Sequence, residues 1–143
     1  MTMTMDFKDL VSLYFERTNA VQVLWGLYIT IAHGLLAFLG ANPAVLKRVY
    51  LVGLLSLGFI GFAVVNADAL YDVTKARVAA HDLIANYTAK DPPNQAIVDR
   101  IKTIVNPPTP REVVIFHVSV DIGVLAAMLG LTLYVDRTRP IKK

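Results

Sequence analysis

Residues 112–135 read EVVIFHVSVDIGVLAAMLGLTLYV, and the charges in and around this stretch decide the fold. Between Glu112 and Asp136 the only charged residue is Asp121. A helix needs about 20 mostly apolar residues to cross the hydrocarbon core of a bilayer. This run is long enough, and it lacks the period-2 alternation of a strand. Two other runs resemble it. No Asp, Glu, Lys or Arg occurs between Arg17 and Lys47, and none between Arg48 and Asp68. The three runs predict an all-α integral membrane protein with transmembrane helices at 18–41, 44–66 and 112–135.

Composition agrees. Of 143 residues, 55% are hydrophobic and 17% are charged, and mean hydropathy is +0.52. Soluble domains carry about a quarter charged residues. The absence of cysteine argues against a disulfide scaffold or a thiolate metal site. A net charge of +3 is small, and in a membrane protein the placement of charge matters more than its sum.

Punctuation supports the boundaries. Gly40 closes the first run, and Asn42-Pro43 offers an N-cap and a first-turn proline for the second. Thr109-Pro110-Arg111-Glu112 has the spacing of a capping box at the third. A signal peptide fits the first run poorly. Asp6, Asp9 and Glu16 precede it, and Phe38-Leu39-Gly40-Ala41 is no A-x-A cleavage site.

Residues 4–17 read as an interfacial helix, with Phe7, Leu10, Val11 and Tyr14 on one face. The connection 67–111 reads as an extramembrane helical hairpin between helices 2 and 3. Ala63 through Asp91 contain neither Gly nor Pro, so the second helix is able to continue to residue 90, about 70 Å from Pro43. Asp91-Pro92-Pro93 stops it, and a short helix over 94–105 follows with Ile97, Val98, Ile101, Ile104 and Val105 on one side. So short a segment rarely makes its own core. Leu70, Val73, Leu83, Ile84, Ile97, Ile101 and Ile104 are therefore the expected partner-binding surface, covered by the 4–17 helix, a second copy or another protein. The competing reading is a hairpin resting on the membrane. Asn86-Tyr87-Thr88 fits the glycosylation triplet but falls in the expected helix.

Small residues recur every four positions at Gly26, Thr30 and Gly34, and again at Ser119, Gly123 and Ala127. Such rows let membrane helices pack closely. The rows do not say whether the neighbour is the same chain or another. If they pack inside the bundle, His117 and Asp121 on the opposite face look toward a different subunit or a ligand.

Asp121 lies about 13 Å into the third helix, where a carboxylate must be paired, protonated or wetted. His117 is one turn earlier on the same face. Three roles compete for this pair: proton or ion handling, metal or haem ligation together with His33, and a purely structural bond completed by Tyr28, Ser56 or a partner. His33 and His117 differ in depth by more than two helical turns, which opposes a shared haem. His81 reads as a solvated helix residue.

The chain has no Gly-rich phosphate loop, HExxH, G-x-S-x-G or cysteine nucleophile, so it is expected not to be an enzyme. Basic residues are not interleaved with aromatics, which opposes nucleic-acid binding. The sequence requires no cofactor. Its expected role is a non-catalytic accessory subunit or assembly factor of a membrane complex, with lipid, other membrane subunits or its own copies as partners. The alternative is a small proton-, metal- or haem-coupled membrane protein. Lys47, Arg48, Arg137, Arg139, Lys142 and Lys143 share one side, the last four in a basic tail over 136–143, and face Asp136 alone. That side is expected to be cytoplasmic, with the N-terminus and 67–111 outside a bacterial inner membrane.

Overall fold

The computed structural model describes residues 6–89 and 92–137. Residues 4 and 5 of the expected interfacial helix, Lys90 and Asp91 at the stop, and the tail from Thr138 onward lie outside that description. The order is α1 (Phe7–Ala41), α2 (Pro43–Leu46), α3 (Val49–Ala85), α4 (Pro92–Ile104) and α5 (Pro110–Arg137). No strand occurs among the described residues. The helices α1, α3 and α5 are long and apolar enough to cross a membrane.

Several boundaries differ from the sequence reading. Residues 4–17 and 18–41 do not form separate helices: α1 runs unbroken for 35 residues. No proline interrupts it, and the Thr18 hydroxyl donates to the Tyr14 carbonyl across the expected junction. Asn42 does not cap the second helix. It lies outside helical geometry, at φ −124° and ψ 70°, and its side-chain amide donates to the Phe38 carbonyl at the end of α1. Pro43 disfavours helical backbone at the residue before it and has no N–H of its own to donate. The single turn α2 and the bend at Lys47-Arg48 then return the chain, so the second long helix starts at Val49. It stops at Ala85 rather than residue 90. The Asn86 side-chain amide donates to the Asp82 carbonyl, and the next N–H, of Tyr87, turns to the Ile84 carbonyl only three residues back. At 37 residues α3 is about 55 Å long, still far more than a hydrocarbon core of about 30 Å. The Thr109–Glu112 capping box is formed in both directions, with Thr109 N–H donating to Glu112 at 2.8 Å and Glu112 N–H to the Thr109 hydroxyl at 3.3 Å.

The chain divides into two compact units. The first comprises Met1–Val23 and Ala69–Val114. Its core joins Leu10 and Tyr14 of α1, Ala80 and Ile84 of α3, and Val105 after α4, with Phe7, Val11, Tyr87 and Ile101 packed around them. The start of α1 thus supplies the apolar surface that residues 67–111 lack. The Phe7 and Tyr87 rings lie 4.9 Å apart, and Lys102 donates to the Tyr87 carbonyl at 2.8 Å. The expected docking stripe is split by this core. Leu70 and Ile84 are buried, Val73 and Ile101 are half-buried, and Leu83, Ile97 and Ile104 remain exposed. Val98 and Ile101 of α4 and Val105 just after it repeat at spacings of three and four and turn inward, leaving Ile97 and Ile104 exposed.

The second unit comprises Leu24–Asp68 and Ile115–Lys143. Its core contains Tyr28, Ala32 and Leu39 of α1, Val52, Phe59 and Ala63 of α3, and Val124 and Met128 of α5. The inward positions step by fours and sevens, as in left-handed helix packing. The outward positions are equally apolar, including Leu27, Leu54, Val64, Ile122 and Leu133. An apolar exterior around an apolar interior is the surface expected of helices solvated by lipid.

Candidate functional site

The polar centre of the second unit is assembled from three helices. His117 of α5 is fully buried, and its Nδ1 lies 2.9 Å from Asp121 Oδ2 one turn later. The other carboxylate oxygen, Oδ1, accepts the Tyr28 hydroxyl of α1 at 2.7 Å. The other ring nitrogen of His117, Nε2, lies 3.0 Å from Asn66 Nδ2 of α3. A carboxylate oxygen can only accept, so Nδ1 carries the proton, and Nε2 of the neutral ring accepts from the Asn66 amide. The result is one continuous path, Asn66 to His117 to Asp121 to Tyr28, that ties α3, α5 and α1 together.

Aromatic rings enclose it. The Tyr28 and Trp25 rings lie 4.4 and 5.4 Å from the His117 ring, and Phe62 stacks on Tyr28 at 6.2 Å with planes 13° apart. They exclude water from the imidazole. Asp121 is less enclosed, with 17% of its side chain exposed. It lines an open recess of about 160 Å³ whose other walls, Phe59, Ala63, Val118 and Leu125 among them, are apolar.

The pairing of His117 with Asp121, and Tyr28 as a partner, were legible from spacing and residue type. Asn66 was not singled out. Its signal was present: it is an amide near the end of the charge-free run 49–67, three and seven residues after the inward Ala63 and Phe59. Ser56 is half-buried and takes no part in the path. His33 does not join it either. Its side chain is exposed and its Nδ1 meets the Ile29 carbonyl of its own helix at 2.9 Å. Both ring nitrogens of His117 are already engaged, so the imidazole offers no free lone pair to a metal. Among the described residues no three of His, Cys, Asp and Glu gather around one point that could hold a metal ion. His81 is half-buried beside Asp82, at 3.3 Å.

The small-residue rows take the opposite orientation. Gly26, Thr30 and Gly34, and likewise Ser119, Gly123 and Ala127, are exposed. A Cβ added to Gly26, Gly34 or Gly123 would meet nothing within 4 Å. The rows do not pack within this chain, and the polar pair looks inward rather than away from the bundle.

The fold and this site define a class: an all-α integral membrane protein with three membrane-compatible helices and a buried polar path between them. Comparison with protein families, with curated proteins and with solved structures finds no match for this chain.

Proposed function

We propose that the protein is a non-catalytic accessory subunit or assembly factor of a larger membrane protein complex. One observation carries this reading: the polar pair is turned inward and satisfied, while the small-residue rows are turned outward and open. A His–Asp pair whose nitrogens and oxygens are all bonded within the chain serves as a clasp. Glycine on a lipid-facing surface gains nothing from lipid, but it lets a second helix approach closely. In this reading Gly26, Thr30 and Gly34 on α1, and Ser119, Gly123 and Ala127 on α5, are contact surfaces for other membrane subunits or a second copy. The end of α3 and α4 form an extramembrane helical hairpin, and Leu83, Ile97 and Ile104 are its exposed docking residues. The basic residues at 47–48 and in the tail lie in the cytoplasm of a bacterial inner membrane, with the hairpin outside. Purification in mild detergent with mass spectrometry of the eluate tests the assignment. A stoichiometric membrane partner or a defined oligomer is the expected result, and a lone monomer would overturn it.

A second reading rests on the recess at Asp121. A carboxylate that is bonded yet open to a groove is placed to exchange a proton, which suits a small proton-coupled membrane protein using His117 and Asp121. In proteoliposomes under an imposed pH gradient, this reading expects a proton flux that Asp121→Asn abolishes. Equal flux from the two proteins would remove Asp121 from that role.

A further inference from the structure

Among the described residues, the first unit contains a buried charge without a partner. Arg77 of α3 is only 6% exposed, and its Nε and Nη2 are buried with no hydrogen-bond partner. Thr74, one turn earlier, is fully buried, and its hydroxyl is also unpartnered. Residues three apart on a helix are surface neighbours, with Cβ atoms about 5–6 Å apart.

The Thr74 hydroxyl is unusual in this molecule. Those of Thr18, Thr30 and Thr132 each donate to the carbonyl four residues back, and that of Thr103 to the carbonyl three back. The Thr74 hydroxyl makes no such bond to the Leu70 carbonyl, which serves the backbone ladder of α3. The guanidinium cannot shed its proton to escape the cost of burial. Left unpaired, a buried charge is strongly unfavourable. The acidic side chains described in this unit are all exposed, and Glu16, Asp82, Asp99 and Glu112 are already engaged with Arg17, His81, Gln95 and Thr109. None of them answers Arg77.

The identity of the orphan atoms indicates the missing partner. Nε–H and one Nη–H of arginine lie side by side and grip two oxygens of one oxyanion. A hydroxyl one turn away supplies a third donor, which a phosphate can use and a two-oxygen carboxylate uses less fully. We infer that Arg77 and Thr74 form a buried binding site for a phosphate group, carried by a phospholipid headgroup or by phosphate in solution. Arg77 is nine residues beyond Asp68, the first charge after the apolar run, or about 13 Å along the helix. It therefore lies outside the hydrocarbon, where an anion arrives from the headgroup layer or from water.

The test uses the full chain in a phosphate-free maltoside detergent. Thermal unfolding is followed with inorganic phosphate against chloride of equal ionic strength, and with phosphatidylglycerol against a phosphate-free glycolipid. At about a hundredfold excess over Kd, at least one phosphate source raises Tm by about 5–10 °C. A response to lipid alone assigns the headgroup, and a response to inorganic phosphate assigns a dissolved ligand. Arg77→Met abolishes the response, and Thr74→Val, nearly isosteric, weakens affinity by about tenfold. The proposal is overturned if no phosphate source exceeds its control, or if the response survives Arg77→Met. Should Arg77→Met fail to fold, an unaltered response in Thr74→Val overturns it.

Discussion

Replacing His117 with leucine is expected to destabilise the protein by about 3–5 kcal/mol, more than the loss of two ordinary hydrogen bonds. Leucine roughly preserves the apolar volume within the Trp25 and Tyr28 rings. What disappears is the proton donor at Asp121 Oδ2 and the acceptor for Asn66. Two estimates compete. Interhelical hydrogen bonds in membranes average only about 0.6 kcal/mol, because the unfolded chain in lipid also finds partners. Counted that way, with only the Asn66 bond crossing between helices, the variant costs less than about 1 kcal/mol. Removing one member of a buried pair instead leaves a carboxylate in a low dielectric with Tyr28 as its one remaining partner, and such losses reach 3–5 kcal/mol. The burial of His117 and the apolar walls around Asp121 favour the larger figure. Reversible unfolding in mixed micelles measures it. The double change His117→Leu with Asp121→Leu is expected to recover at least half of the loss, since only the neutral Asn66 amide and Tyr28 hydroxyl are then left unpaired. A loss below about 1 kcal/mol in the single variant would mean that the pair does not hold the helices together.

The second large effect is on association rather than on folding. Gly26→Leu and Gly123→Leu each place a bulky side chain where a Cβ meets nothing within 4 Å. Folding of the isolated chain is expected to change by less than about 1 kcal/mol, with the better helix propensity of leucine offsetting any local cost. Association with a partner subunit or a second copy is expected to be lost, because the helix backbones can no longer approach closely. Co-purification of each variant, beside its unfolding curve, separates the two quantities. Retained association in both variants would remove these rows from the interface. Lower stability without a partner present would show that the rows pack within the chain after all.

Much of the fold could be read from charge alone. Lipid penalises ionised groups strongly, so the gaps ending at Arg17, Lys47, Arg48, Asp68 and Glu112 mark the long helices without help from tertiary contacts. The His117–Asp121 bond was legible for a similar reason. A spacing of four residues on a helix is local geometry, and a carboxylate in an apolar run needs a partner. Helix ends were less legible. Whether α1 broke near residue 17, and whether α3 began before or after Lys47, depended on side-chain bonds to nearby carbonyls, as at Thr18 and Asn42. Residue type permits those bonds without requiring them.

Asn66 and the direction of each helix face were a different matter. Asn66 meets His117 across 51 residues of sequence, and Tyr28 meets Asp121 across 93. No local pattern encodes such distances. In a soluble protein the hydrophobic effect would have chosen the inward faces, since water and core differ. Here lipid and core are both apolar, so Leu54 and Phe59 look alike in sequence although one faces out and the other in. Charge placement along the chain was enough to locate the three membrane-compatible helices and to show that Asp121 needs company. That this company comes from within the chain, that Leu10 and Tyr14 cover the end of α3, and that the small-residue rows turn outward emerge from helix packing. Within an apolar solvent, close packing and polar pairing choose the faces, and both are properties of helices already brought together.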